Sequence, residues 1–290
     1  MNIDAHQHFW KYTAQRDGWI TDEMALLKRD FLPEHLAGEL GANGIDGCIA
    51  VQADQSEDET EFLLDLAARH DSIIQGVVGW LDLSSPKLPG RLAYFAEFEK
   101  LRGLRHILQS EPDDRFMLRP GFCRGIAQLK DFDLTFDILI YPRQLPAAIE
   151  LVEKFPDQKF VLDHLAKPFI RTQKIEPWAK QVRLLASNPN LYCKLSGLVT
   201  EANWRNWQAA DFDAYLDVAF DAFGADRLMF GSDWPVCLLA ASYRGVRNLV
   251  EQYVTRFHIE SQAKIFGLNA VRFYGLTTSE PDSQFHGLAS

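Results

Sequence analysis

Short apolar runs rich in β-branched residues recur along this 290-residue chain, and between them apolar residues return every three or four positions. The runs are NIDAHQHF (2–9), GIDGCIAVQ (44–52), IIQGVVGWLDL (73–83), LRGLRHIL (101–108), LTFDILIY (134–141), KFVLDHL (159–165), LYCKLSGL (191–198) and RLMFGSDW (227–234). Most are continuous rather than alternating, as in parallel strands covered on both faces. SEDETEFLLDLAARH (56–70) opens on a Ser followed by acidic residues, which predicts a capped helix. RQLPAAIELVEKFPD (143–157), FDAYLDVAFDAFGAD (212–226), SYRGVRNLVEQYVTRF (242–257) and ESQAKIFGLNAVRFYG (260–275) have helical spacing as well. Eight strand–helix units in a chain of this length predict a (β/α)8 TIM barrel, with the active site at the carboxyl ends of its strands. An open doubly wound sheet is the alternative, but no G-x-G-x-x-G follows a strand and no P-loop is present. One domain is expected over 1–276, followed by a polar tail over 277–290. Residues 10–30 form a long first connection with three aromatics, placed where a barrel keeps its substrate loops.

The 47% hydrophobic content supplies a core without covalent staples. A net charge of −10 argues against nucleic acid and anionic membrane as partners, since both need basic surface. No apolar run is long enough for a membrane span, and the first ten residues lack a secretory pattern, so a cytoplasmic location is expected. A small molecule is then the expected partner, with a homo-oligomer left open. Cys48, Cys123, Cys193 and Cys237 are scattered without a C-x-x-C pair and read as small buried hydrophobes; a catalytic thiol is the alternative.

Polar residues at the ends of apolar strands mark the candidate chemistry. They are His6 and His8, Gln52, Trp80 and Asp82, Arg105 and His106, Tyr141, Asp163 and His164, Lys194 and Ser196, and Ser232 and Asp233. Strand alternation places Asp4, His6 and His8 on one face, and it allows only one of Arg105 and His106 to face the lumen. Asp233 reads as a metal ligand, a general base or both, with a helix cap as the bland alternative. His164 alone would read as a satisfied core histidine. Together, His6, His8, His164 and Asp233 suit one divalent metal, Zn²⁺ first and Mn²⁺ next, with a position open for water. The same four could also act without metal, Asp233 serving as base and the imidazoles holding water and substrate.

IDAHQHFW, GLRHILQSEPDDRFMLRPGF, LDHLAKP, CKLSGLVTEA and FGSDWPV, in this order, resemble the amidohydrolase superfamily from about residue 2 to 275. The likeness is to its amidohydrolase-2 branch of sugar-lactone hydrolases and 2-pyrone-4,6-dicarboxylate lactonases. It implies a distorted (β/α)8 TIM barrel and a hydrolase that opens a fuconolactone- or rhamnonolactone-like substrate by Asp-activated water attack. A pyrone-dicarboxylate lactonase or a metal-dependent non-oxidative decarboxylase are the alternatives. The family's strand-one H-x-H falls on His6 and His8, its later His on His164 and its strand-eight Asp on Asp233. The bridging Lys or Glu and the further His of binuclear members are missing, which implies one metal at most. The decarboxylases carry a catalytic His between the positions of His164 and Asp233, and none stands there. Substrate donors would come from Arg105, His106, Tyr141, Lys167 and Lys194, the last also able to pair with Asp163 or Glu201. Glu111 is a further candidate ligand or base. Trp80, with Trp10, Trp19 and Trp234, could offer a flat face to a sugar ring.

Overall fold

The computed structural model describes residues 1–277, so the polar tail read over 277–290 lies outside the described residues beyond Thr277. Its strands are β1 (Ile3–Gln7), β2 (Gly47–Val51), β3 (Ile74–Gly79), β4 (Leu101–His106), β5 (Thr135–Ile138), β6 (Phe160–Leu162), β7 (Leu191–Leu195) and β8 (Leu228–Phe230). They lie in sequential order and each pairs in parallel with the next. The sheet closes on itself where β1 meets the chain after β8. There the Asp233 N–H donates to the His6 carbonyl (2.8 Å) and the His8 N–H to the Trp234 carbonyl (2.7 Å). This seam rules out the open doubly wound sheet.

The strands are followed in turn by α1 (Pro33–Ala42), α2 (Glu57–Arg69), α3 (Leu88–Phe95), α4 (Pro120–Leu129), α5 (Leu145–Lys154), α6 (Trp178–Ala186), α7 (Ala210–Phe223) and α8 (Tyr243–Val254). Ser56 and Ser242 cap α2 and α8, each accepting from the backbone N–H three residues on. The helix expected over 260–275 is broken into α9 (Ile259–Ala263), a π turn (Lys264–Leu268) and α10 (Asn269–Tyr274). At Gly267 a Cβ would stand 1.9 Å from the Met1 carbonyl oxygen, so the π turn passes the chain start only because no side chain is there. The strands are also shorter than the apolar runs. Residues after Gly79, Leu162 and Phe230 turn away as loops, and those loops carry side chains to the barrel mouth.

Two apolar layers hold the barrel. Outward residues such as Ala50, Phe136, Leu162 and Phe230 pack under the helices. Inward residues Ile3, Ala5, Ile49, Val51, Val78, Val161 and Met229 meet Ala270, Phe273 and Tyr274, so α10 forms the floor. The β1 register shifts between Asp4 and Gln7. An irregularity of this kind breaks alternation, and it corrects the expectation that Asp4 shares a face with the two histidines. Asp4 instead accepts from the Ser232 hydroxyl (2.5 Å) and the Tyr243 hydroxyl (3.0 Å) on the helix side. All four cysteines are buried and free, and burial pushes the thiols of Cys48, Cys193 and Cys237 up, away from thiolate chemistry. Among the described residues, no helix is long and apolar enough to cross a membrane.

Candidate active site

Three strand ends converge on one cluster. His6 and His8 enter from β1, His164 from the turn after β6, and Asp233 from the turn after β8; all four are buried. Asp233 Oδ1 lies 3.4 Å from His8 Nε2 and 3.9 Å from both His6 Nε2 and His164 Nε2. The close approach of β1 and β8 depends on Gly231, where a Cβ would meet the His6 Cβ at 2.6 Å and the Ser196 Cβ at 3.0 Å. His164 and Asp233 both take left-handed backbone, at φ 53° and 56°. Leu165, Ala166 and Lys167 continue in that region, giving four consecutive non-glycine residues at positive φ. Such backbone is costly and persists where the surroundings over-determine it, commonly at functional sites.

Hydrogen bonds aim the rings. His8 Nδ1 donates to the Val51 carbonyl (2.7 Å), which leaves its Nε2 lone pair facing Asp233. His164 Nδ1 bonds the Ser196 hydroxyl (2.8 Å), which holds the ring with its Nε2 toward Asp233. Burial drives the His6 imidazole well below its usual value, although Asp163 opposes this. Burial likewise pushes His164 down to about 4 against the pull of Asp233. For Asp233, burial favours the neutral acid, but His164, His8 and His6 beside it outweigh this and hold the carboxyl well below the usual carboxylate range. At neutral pH His6 and His164 are therefore neutral and Asp233 is an ionised carboxylate, the protonation states a cation requires.

Beneath the cluster runs a buried column of charge. Lys194 Nζ reaches Asp137 (2.5 Å), Asp163 (3.1 Å) and His6 Nδ1 (3.2 Å). The Tyr274 hydroxyl of α10 meets Asp137 from below at 3.1 Å. Arg105 Nη1 bonds Asp163 (3.2 Å) and lies 3.3 Å from His6 Nε2, while its Nη2 donates to the Gln52 carbonyl. Burial lifts Asp137 to about 6 against Lys194, and Asp163 is held low by Lys194, His6 and Arg105 in spite of its own burial. Among the described residues, three lumen carboxylates, Asp137, Asp163 and Asp233, thus face two buried cations, Arg105 and Lys194.

That imbalance and the donor set fit a bound cation. Two overlapping groups, His6–His8–Asp233 and His6–Asp163–His164, each bring their ligand atoms within 4.8 Å of one another. Three of the four residues expected as one set form the first triad, and His164, of the second, keeps its Nε2 3.9 Å from Asp233 Oδ1. A cation there also competes with Arg105 for His6 Nε2.

The other expected site residues are spread more widely. Arg105, not His106, faces the lumen. His106 stacks on Phe116 and meets Phe122 edge-on within the wall by α4, so it does not join the cluster. The Trp80 indole N–H donates to His106 Nδ1 (3.3 Å), so His106 Nε2 donates to Glu111 (2.7 Å). Lys194 does not reach the mouth, because all its donors are committed below. Tyr141 and Lys167 stand at the rim, with the ammonium 5.5 Å from the ring centroid. Trp10 and Trp234 are buried around Phe31 and serve packing rather than a sugar ring; Trp19 is exposed and edge-on to Trp10. Asp137 was missed by the sequence reading; its signal was a lone acid inside the apolar run LTFDILIY.

A profile of the amidohydrolase family matches residues 3–276. The chain belongs to that family. This amidohydrolase is 44% identical over 287 residues to an L-fucono-1,5-lactonase from Burkholderia multivorans, covering 95% of this chain and 96% of that one. A crystal structure of an amidohydrolase from Burkholderia multivorans with bound zinc superposes with a TM-score of 0.92 at 44% identity, covering 96% of this chain and 100% of that one. A 2,6-dihydroxybenzoate decarboxylase from Rhizobium has a TM-score of 0.67 at 15% identity over 94% of this chain and 98% of that one, a likeness of fold alone.

Proposed function

We propose that this amidohydrolase opens the ring of a small sugar-acid lactone, with an L-fucono-1,5-lactone-like molecule as its substrate. The observation that carries this is the meeting of His6, His8, His164 and ionised Asp233 at the barrel mouth, in a chain so close to a lactonase of that specificity. In this reading His6, His8, His164 and Asp233 hold one divalent ion, Zn²⁺ first and Mn²⁺ next, which when bound polarises a carbonyl and lowers the pKa of a water to roughly 7.

The chain's own groups do the rest. Asp233 is ionised at working pH and takes the proton of the attacking water at its carboxylate. As the tetrahedral intermediate collapses, the ring oxygen leaves as an alkoxide, and Asp233 returns the proton to it. His8 and His164, locked by Val51 and Ser196, keep their free nitrogens aimed at the reacting centre, so no reorientation is needed during the step. Lys167 and Tyr141 at the rim meet the substrate hydroxyls. A pyrone dicarboxylate would need free cations, yet Arg105 and Lys194 are committed to Asp163 and Asp137. A decarboxylase would need a further catalytic His between His164 and Asp233, where none occurs.

A pH-indicator assay over a panel of aldonolactones, before and after chelation, tests the reading. L-fucono-1,5-lactone should be opened, with a loss on chelation that Zn²⁺ restores. Absence of turnover with every lactone, alongside carbon dioxide release from a hydroxybenzoate, would sink it.

A further inference from the structure

The left-handed run 164–167 does more than aim His164. It carries Lys167 back to the rim, where its ammonium sits 3.8 Å from Glu201 Oε1 and 5.5 Å from the Tyr141 ring centroid. Glu201 closes a short turn (Val199–Glu201) directly after β7, and that turn packs on the one that follows Asp233. The Glu201 side chain is only 23% exposed. Among the described residues, neither of its oxygens accepts a hydrogen bond, and its ion pair with Lys167 is long. A largely shielded carboxylate without a hydrogen-bond donor is costly unless a ligand supplies one. Burial raises the Glu201 carboxyl, Lys167 opposes this, and the charge of Asp233 reaches far enough to add to the rise.

We infer that Glu201, paired with Lys167, is the specificity-determining residue of this site, its carboxylate accepting from hydroxyls of the bound lactone while Lys167 donates to them. This rests on the sugar-lactone reading above and deepens it. The aromatic face of Tyr141 holds the ammonium in place by cation–π attraction, so donor and acceptor stand ready side by side. An acceptor next to a donor suits adjacent hydroxyls, each of which gives one proton and takes another. The strain of residues 164–167 then has a use: one tight turn ties the group that faces the reacting centre to the group that reads the substrate.

The test compares two six-membered lactones, L-fucono-1,5-lactone with its hydroxyls and δ-valerolactone without them. A hydrogen bond to a charged group is worth about 1.5–3 kcal/mol, so Glu201→Gln should lower the ratio of kcat/KM between the two by about 10- to 100-fold, mostly through KM. Lys167→Met should lower the same ratio. A ratio unchanged in Glu201→Gln, whether both rates fall together or neither falls, overturns the assignment. If the wild-type protein opens neither lactone, the proposed preference for an L-fucono-1,5-lactone-like substrate fails by itself. Calorimetric binding of the open-chain acid L-fuconate then decides the subsite: weaker binding to Glu201→Gln upholds it, and equal binding overturns it.

Discussion

Asp233 combines a carboxylate held ionised with an approach to within 3.9 Å of all three imidazoles, 3.4 Å at His8. Replacing it with Asn keeps the shape and removes the proton acceptor, so kcat should fall by about 10²–10⁴ in the lactone assay. Its depressed pKa sets the sign of the pH effect. Because it keeps its negative charge on acidification, the wild-type kcat/KM should show no Asp233 titration between about pH 8 and about pH 5. Full activity in Asp233→Asn would reject this role. The four cluster residues were legible in the sequence because each polar side chain ended an apolar run. The faces of neighbouring residues were not. Alternation says that Arg105 and His106 oppose each other without saying which looks inward, and the shift in β1 that turns Asp4 outward leaves no mark in the letters. Asp137 was hidden because an acid in mid-strand makes sense only once Lys194 is seen opposite it.

Among the elements, the seam between β1 and β8 governs the site. Gly231→Ala would push a methyl group against the His6 and Ser196 side chains. Overpacking of this kind costs about 1–3 kcal/mol, and displacement of His6 by even a fraction of its reach should lower kcat by up to about 10²-fold. Chemical denaturation and the lactone assay read the two effects separately. Helix α2 offers a test of electrostatics away from the site. Burial raises its Glu59 carboxyl from 4.5 to about 7, although the Ala53 N–H and Arg16 oppose this. The folded state thus holds that proton more tightly than the unfolded chain does. Its contribution to stability is complete below pH 4.5 and is lost as pH rises through about 7. Thermal melts should therefore show the Glu59→Gln variant gaining on the wild type between those two values. The capped start of α2 was plain in the sequence. The break between α9 and α10 was not, since it answers to the Met1 carbonyl far off in the chain.

For the whole molecule, the excess of buried carboxylate predicts a response to cations. Zn²⁺ at 100 times its dissociation constant should stabilise the protein by about 2.7 kcal/mol and raise Tm by several degrees, while His8→Gln should abolish the shift. A Tm indifferent to Zn²⁺ would favour the metal-free scheme. The barrel itself was readable from eight apolar runs, because parallel strands buried on both faces leave a strong periodic imprint. Its floor and its charge column were not, since they join residues whose only relation is spatial. The seam has one more consequence. His6 and His8 precede in the chain, by more than two hundred residues, both Asp233, which closes the seam on them, and Tyr274, which closes the column from below. Until Asp233 has been made, β1 waits without its partner and the cluster is incomplete. The cluster and the closure of the barrel are completed together, by the same residues.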